Sequence, residues 1–411
     1  MPDSRRIFLS QSAWSWLTRW WTFGLGTTAL AKKRSVYDEL GIRPILNFRG
    51  THTTIGASKQ WPELHAAMEE ASRHYVSLDE LQDRVGERLA KLIGTEAAMV
   101  TTGCAGAITL ATCACVAGDN PQAIRKLPEI NGLKSEVLVL KLHRNGYDHA
   151  VRAAGVQLVE VENSEQLRNA INQNTAMMYF LGGTSGDWTW PESLSYQEAL
   201  KILKPAGVPL LVDAANMLPP WDNIRKLAAA GVDLIAMSGG KHMRGPQCSG
   251  ILAGRKDLVA AARLNTNPHS DSLGRGMKVG REEIIGLWLA AEKYAALDFE
   301  ALDKICLQQA EFLRQELAQI DGLRTSFAPF DRTRKVRRVI VEWDEKQLQL
   351  TAAECERQLM EGSPRIAVLR HSPQGLMFTV FMNDPGDERA AVKRMREIFA
   401  NARTAQLAGR R

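Results

Sequence analysis

Two periods alternate through the middle of the chain. Short apolar runs at Ala97–Val100, Glu136–Leu140, Val156–Val161, Ala176–Leu181, Pro209–Val212 and Leu234–Met237 read as strands. Between them, Ile108–Val116, Tyr147–Ala154, Ser164–Gln173, Tyr196–Leu203 and Trp221–Ala230 carry apolar residues at helical spacing. Strands alternating with helices predict βα units around a mainly parallel sheet. Ahead of them, Glu63–Ile93 keeps helical spacing through Leu81, Val85, Leu89 and Leu92.

The pattern changes after residue 280. Arg281–Leu317 reads as long helix, Val336–Trp343, Ile366–Leu369 and Leu376–Phe381 as strands, and Ala352–Leu359 and Asp387–Ala400 as helices. Adjacent strands with helices to one side predict a smaller α+β domain. The expected layout is a large α/β domain over residues 61–290 and a small C-terminal domain over 291–405. Residues 35–60 read as an extended arm ending in the Gly/Thr/Ser-rich loop Gly50–Ser58. Having few apolar positions, the arm is expected to order against other surfaces, at the boundary of a homodimer or a higher homo-oligomer.

The N-terminus has a pattern of its own. Ser4-Arg5-Arg6-Ile7-Phe8-Leu9-Ser10 resembles the twin-arginine export signal, with Ser10 where a lysine is usual. An apolar stretch follows from Trp20 and ends in the small-residue motif Ala29-Leu30-Ala31; Arg19 interrupts the approach to it. The expectation is a signal peptide over residues 1–31 and a periplasmic protein. The alternative is a cytoplasmic protein that keeps an amphipathic N-terminal helix with four tryptophans.

Charge changes this picture little. The formal net charge of +6 is concentrated in residues 1–34, where six basic residues stand against Asp3, a balance of +5 that leaves +1 for the body. A near-neutral body has no strong footprint for a polyanion, so no nucleic-acid partner is expected. No apolar run in the body reaches the length needed to span a bilayer. Cysteines 104, 113, 115, 248, 306 and 355 fit no common zinc spacing, and no histidine cluster has ligand spacing, so no metal is expected.

The strand ends carry the chemistry. A pyridoxal 5'-phosphate (PLP) enzyme needs a lysine for a Schiff base, an anion beside the pyridine nitrogen, a phosphate cup and a flat group against the ring. Lys241 follows Met237-Ser238-Gly239-Gly240, small residues just past a strand, and Ser238 offers a hydroxyl to the phosphate. Asp213 ends the strand Leu210–Val212, where a carboxylate is costly without a cationic partner; a helix cap is the plainer role for it. Thr102, Gly103, Cys104 and Ala105 open a helix whose N–H groups and dipole suit a phosphate. For the ring face, His143 and Tyr147 are both available, and His143 is preferred because it follows its strand directly.

With those residues in place, the chain over residues 36–400 resembles the family that groups bacterial selenocysteine synthase with D-glucosaminate-6-phosphate ammonia-lyase. The motifs are Arg43-Pro44-Ile45-Leu46-Asn47, Asp79-Glu80-Leu81-Gln82, the loop Thr101–Ala107, Asp213, Ser238-Gly239-Gly240-Lys241, Gly245-Pro246-Gln247 and Ser363-Pro364-Arg365-Ile366. The resemblance implies the aminotransferase-like fold of PLP enzymes and at least a homodimer. It also implies a lyase that abstracts the α-proton of an amino acid or amino-sugar acid, expels a β-substituent and releases ammonia. Lys241 would then be the base. Arg275 and Lys278 match a region where selenocysteine synthase has basic residues for an anionic donor. They become candidates for a substrate phosphate or carboxylate, with a solvated basic loop as the alternative. Arg49 and Arg365, with Arg370, are further candidates for holding a small amino-acid-like substrate. A selenocysteine synthase-like transferase is disfavoured by the neutral body and by the lack of a separate domain before Arg43. Aminotransfer or racemisation, or a non-catalytic member of the fold, stays open.

Overall fold

The computed structural model describes residues 35–182, 194–330 and 334–409. The twin-arginine segment lies outside the described residues. Residues 35–44 belong to a unit of their own, in which Ser35 caps the helical turn Val36–Glu39 and Asp38 reaches back to the cap.

From Ile45 onward the strands are β1 (Ile45–Asn47), β2 (Ala97–Thr101), β3 (Glu136–Leu140), β4 (Gln157–Val161), β5 (Thr175–Leu181), β6 (Leu210–Asp213), β7 (Leu234–Ser238) and β8 (Gly250–Gly254). They continue as β9 (Leu323–Phe327), β10 (Arg337–Trp343), β11 (Arg365–Ala367), β12 (Leu369–Ser372) and β13 (Gly375–Val380). Seven form one sheet in the order β2-β8-β7-β6-β5-β3-β4, in which only β8 runs against the others. The predicted mainly parallel sheet is present. β8 is not among the predicted strands, because Gly250-Ile251-Leu252-Ala253-Gly254 is three apolar residues between glycines.

Both faces of this sheet are apolar, as a covered parallel sheet requires. Along β5, Met178 and Phe180 enter one core and Met177 and Tyr179 the other. The helix Gly103–Ala117 is buried along most of its length against the second face. On the first, Leu78–Ile93 is locked edge-on: Gln82 donates to the Val100 carbonyl and accepts from the Val100 amide, both at 2.9 Å. Gly86 lets this helix close on β2, since a Cβ there would sit 2.3 Å from the Ala98 carbonyl oxygen. The Asp79–Gln82 motif therefore has a packing role.

Two predicted helices are broken. Glu63–Ile93 divides into Leu64–Ser72 and Leu78–Ile93, the second capped by Ser77. Arg281–Leu317 divides into Arg281–Ala295 and Phe299–Ala318, where Asp298 accepts from two amides of the new first turn. Helical spacing continues through both breaks; the capping side chains override it. Tyr147–Ala154 divides into a 3-10 turn, Gly146–Asp148, and the short helix His149–Arg152.

The C-terminal part is an antiparallel sheet, β12-β13-β10-β9, packed on the helices Phe299–Ala318, Ala352–Glu361 and Asp387–Gly409. Residues 45–48 of the expected arm are built into it. β1 pairs with β11, and Phe48 is fully buried against Phe378.

Candidate active site

The parallel strands bring their carboxyl ends to one edge, where ligands of open α/β sheets bind. Leu181 of β5 pairs with Asp213 of β6, and Asp213 with Ala236 of β7, so three strand ends lie side by side. Lys241 lies three residues past β7. It lines an open cleft of about 580 Å³ together with Thr53, Gln60, Ser238, Gln247 and Glu283.

The loop carrying Lys241 is set by close backbone packing. The Gly239 amide donates to the Ser249 carbonyl at 2.8 Å, and the Gly245 amide to the Gly239 carbonyl at 2.9 Å. A Cβ on Gly240 would fall 2.4 Å from the Gln247 Cα. The 50–58 loop closes on the same turn: Ser58 Oγ donates to the Gly240 carbonyl at 2.7 Å, and Trp61 Nε1 to the Met243 carbonyl at 3.0 Å.

Asp213 is 5% exposed. It accepts from the Tyr179 hydroxyl at 2.9 Å, the Cys104 thiol at 3.3 Å and the Ala215 amide at 3.0 Å. Cys104 belongs to the first turn of Gly103–Ala117, so the candidate phosphate loop and the carboxylate are in direct contact. The loop fits tightly under β8, since a Cβ on Gly250 would lie 2.4 Å from the Gly103 carbonyl carbon. Gly103 itself has φ +73°, and a Cβ there would face open space.

His143 ends the short turn after β3 and is buried. Its Nδ1 accepts from the Leu181 amide at 3.2 Å, which leaves the proton of the neutral ring on Nε2. Burial pushes it down to about 4, so the ring is neutral at physiological pH. Tyr147, the other ring-face candidate, is 73% exposed.

The predicted basic residues divide. Arg49 is joined to Glu356 at 3.8 Å, and Glu356 also holds Arg370 at 2.7 Å. The charges of Arg49 and Lys241 both act on His52, adding to burial in holding it below the usual histidine range. Arg49 therefore belongs to the neighbourhood of Lys241. Arg365 is turned elsewhere, its Nε donating to the Met360 carbonyl at 3.0 Å at the end of Ala352–Glu361. Arg275 bonds Asn267 at 3.4 Å in the loop after Lys256–Leu264, and Lys278 is exposed there. Neither lines the cleft among the described residues.

Several neighbours of the site carry no motif in the sequence. His242, buried on Phe381, is pushed well below the histidine range by burial and then by the charges of Arg334, Lys241 and Arg338. Two arginines of the C-terminal part thus act on the residue beside Lys241. Their basic run gave no signal, because it reads as a solvated face. Tyr179 did give one, a hydroxyl in an otherwise apolar strand.

The donor set suits PLP: a lysine in a cleft, a buried carboxylate at the adjacent strand end, and an open helix N-terminus sharing a contact with that carboxylate. A profile of the L-seryl-tRNA selenium transferase family matches residues 45–323. The chain belongs to that family. It is 28% identical over 382 residues to D-glucosaminate-6-phosphate ammonia lyase of Salmonella typhimurium, covering 90% of this chain and 99% of that protein. It is also 28% identical over 382 residues to 5'-C-glycyluridine monooxygenase-decarboxylase of a Streptomyces species, 88% of this chain and 92% of that one. To the L-seryl-tRNA(Sec) selenium transferase of Carboxydothermus hydrogenoformans it is 27% identical, over 62% of this chain and 57% of that one. A solved structure of D-glucosaminate-6-phosphate ammonia-lyase superposes with TM-score 0.79 at 26% identity, covering 90% of this chain and 99% of that one. A NifS-like protein at 14% identity and TM-score 0.58 shares the fold, which is the expected aminotransferase-like one.

Proposed function

We propose that this protein is a PLP-dependent lyase that releases ammonia from an amino acid or amino-sugar acid. The observation that carries this is the placing of Lys241 in an open cleft beside Asp213. The near full-length match to an ammonia lyase supports the choice of reaction. Bound there, PLP would take up electron density from the α-carbon of an amine substrate. Asp213 would face the ring nitrogen, the first turn of Gly103–Ala117 and Ser238 the phosphate, and His143 the ring. Lys241 Nζ would take the α-proton and pass it to the departing β-substituent, and water would then hydrolyse the released enamine to keto acid and ammonia. Arg49 and the arginines acting on His242 would attract a carboxylate.

Export through the twin-arginine route and a homodimeric assembly belong to the same proposal. Export is supported by Arg5-Arg6 and Ala29-Leu30-Ala31, and the dimer by the fold class. Arg275 and Lys278, which do not line the cleft among the described residues, would serve as anion ligands across such a dimer.

Two measurements test the reading. Borohydride reduction of the loaded protein and peptide mapping should place a pyridoxyl group on Lys241 and nowhere else. Lys241→Ala should abolish both label and turnover. Ammonia and keto-acid formation should then be followed across D- and L-amino acids and amino-sugar acids, with and without phosphate. Decarboxylation is monitored as well, because the Streptomyces relative is as similar and its name gives a different reaction. A label on another lysine, or keto acid without ammonia, would reject the proposal.

A further inference from the structure

Asp213 leaves β6 with both carboxylate oxygens engaged. Oδ1 accepts from the Ala215 amide and the Cys104 thiol, and Oδ2 from the Tyr179 hydroxyl. An ionised carboxylate offers about four acceptor sites. The three donors among the described residues leave one site, and it lies on Oδ2. The Tyr179 hydroxyl sits on a strand whose neighbours Met177, Met178 and Phe180 are fully buried, and burying it there is costly without partners. Asn145, whose Nδ2 donates to the His143 carbonyl at 2.8 Å, also acts on this hydroxyl. Tyr179 thus holds the carboxylate from the strand beside the turn carrying His143, while Cys104 ties the phosphate loop to it.

We infer that Tyr179 is a positioning residue: with Cys104 it fixes Asp213 so that the one free acceptor site meets the ring nitrogen of PLP, and it keeps the shared proton on that nitrogen. The inference rests on reading the site as a PLP site. Its physical basis is the charge state of the carboxylate. Hydrogen bonds donated to a carboxylate favour its ionised form, and a buried carboxylate without them tends to take up the proton itself. Burial, reinforced by the charge of Asp213, pushes both Tyr179 and Cys104 up, so both stay protonated through the neutral range and act as donors.

The test uses full-length protein loaded with PLP labelled with nitrogen-15 in the ring. In the wild type the nitrogen resonance should be that of a protonated pyridine. Tyr179→Phe should move it toward the unprotonated value and weaken PLP binding about tenfold, the usual cost of losing one hydrogen bond to a charged group. Cys104→Ala should shift both readouts in the same direction, and Cys104→Ser, which keeps a donor, should restore them. If Tyr179→Phe does not fold, the Cys104 pair decides. A wild-type resonance and affinity in Tyr179→Phe would overturn the inference. So would equal defects in Cys104→Ser and Cys104→Ala, because volume would then matter and not the donor. Wild-type protein that binds PLP with an unprotonated nitrogen overturns this inference alone. Wild-type protein that takes up no PLP overturns the reading of the site beneath it.

Discussion

The two sides of the cleft are built by different means. On the Asp213 side, donors and acceptors come from adjacent strand ends and the first turn of one buried helix, and glycines let backbone meet backbone. On the Arg49 side, long charged side chains from distant segments pair with one another: Arg49 and Arg370 share Glu356. The first arrangement has no slack, since a single methyl at Gly240 or Gly250 would collide with main chain. The second can exchange partners, as ion pairs with exposed members do at little cost. A fixed side suits a group that stays through every turnover. An adjustable side suits one that must arrive and leave.

The largest effect that would sharpen this contrast is acid loss of stability on the fixed side. His143 is held at about 4 against an ordinary 6.5, because burial disfavours its charged form. The unfolded chain therefore binds more protons than the folded one between those values. Stability is fully present above pH 6.5 and falls as pH drops toward 4, by on the order of 3 kcal/mol from this residue. His242 is shifted in the same direction and adds to the loss. Urea denaturation at pH 7 and pH 4.5, on protein freed of small molecules, should show the decline, and His143→Phe should flatten part of it. An unchanged slope in that variant would mean that His143 is not held neutral by its surroundings.

The next effect concerns the glycines. Gly240→Ala should cost about 1–3 kcal/mol, the usual penalty for overpacking, because Gln247 main chain must retreat. That retreat moves the turn carrying Lys241, so cofactor retention after gel filtration should fall with the melting temperature. Gly276→Ala, where a Cβ would meet nothing within 4 Å, should change neither. Equal behaviour of the two variants would break the claim that the fixed side has no slack.

The sequence made the fixed side readable for the same reason that it is fixed. Asp213, the 238–241 turn and the 102–106 loop each sit at the junction of an apolar strand and small residues, and that local signal survives without knowledge of the fold. The sheet was legible through its parallel strands and not through β8, whose three apolar residues between glycines resemble a loop. The adjustable side left little trace. Beyond Arg49, which was a candidate, His52, His242, Arg334 and Arg338 meet Arg49 or Lys241 only after folding, and a basic residue in a loop looks the same whether it faces a cleft or water. Arg365 shows the converse. It was a candidate, with Arg370, for holding a carboxylate from the small domain, yet its Nε donates to the Met360 carbonyl.

The smallest effect separates those two arginines. Arg49 is electrostatically close to His52, which Lys241 also reaches, and its side chain is about one-third exposed. Arg365 sits at the head of β11 with its Nε on a main-chain carbonyl. Removing one neutral-acceptor hydrogen bond costs about 1 kcal/mol, so Arg365→Ala should lower stability by roughly that much and leave KM within about twofold of wild type, with kcat unchanged. Arg49→Ala should do the reverse: little loss of stability, since its ion pair has exposed members, and KM raised by about tenfold, the equivalent of 1.4 kcal/mol of substrate binding. Arg49→Lys should recover part of that loss by keeping the charge. Steady-state kinetics on the best substrate of the ammonia-release panel, run beside thermal melts of the same preparations, read both quantities. A raised KM in Arg365→Ala would mean that the Met360 bond is exchanged for a substrate contact during turnover. An unchanged KM in Arg49→Ala would mean that the adjustable side serves the fold alone.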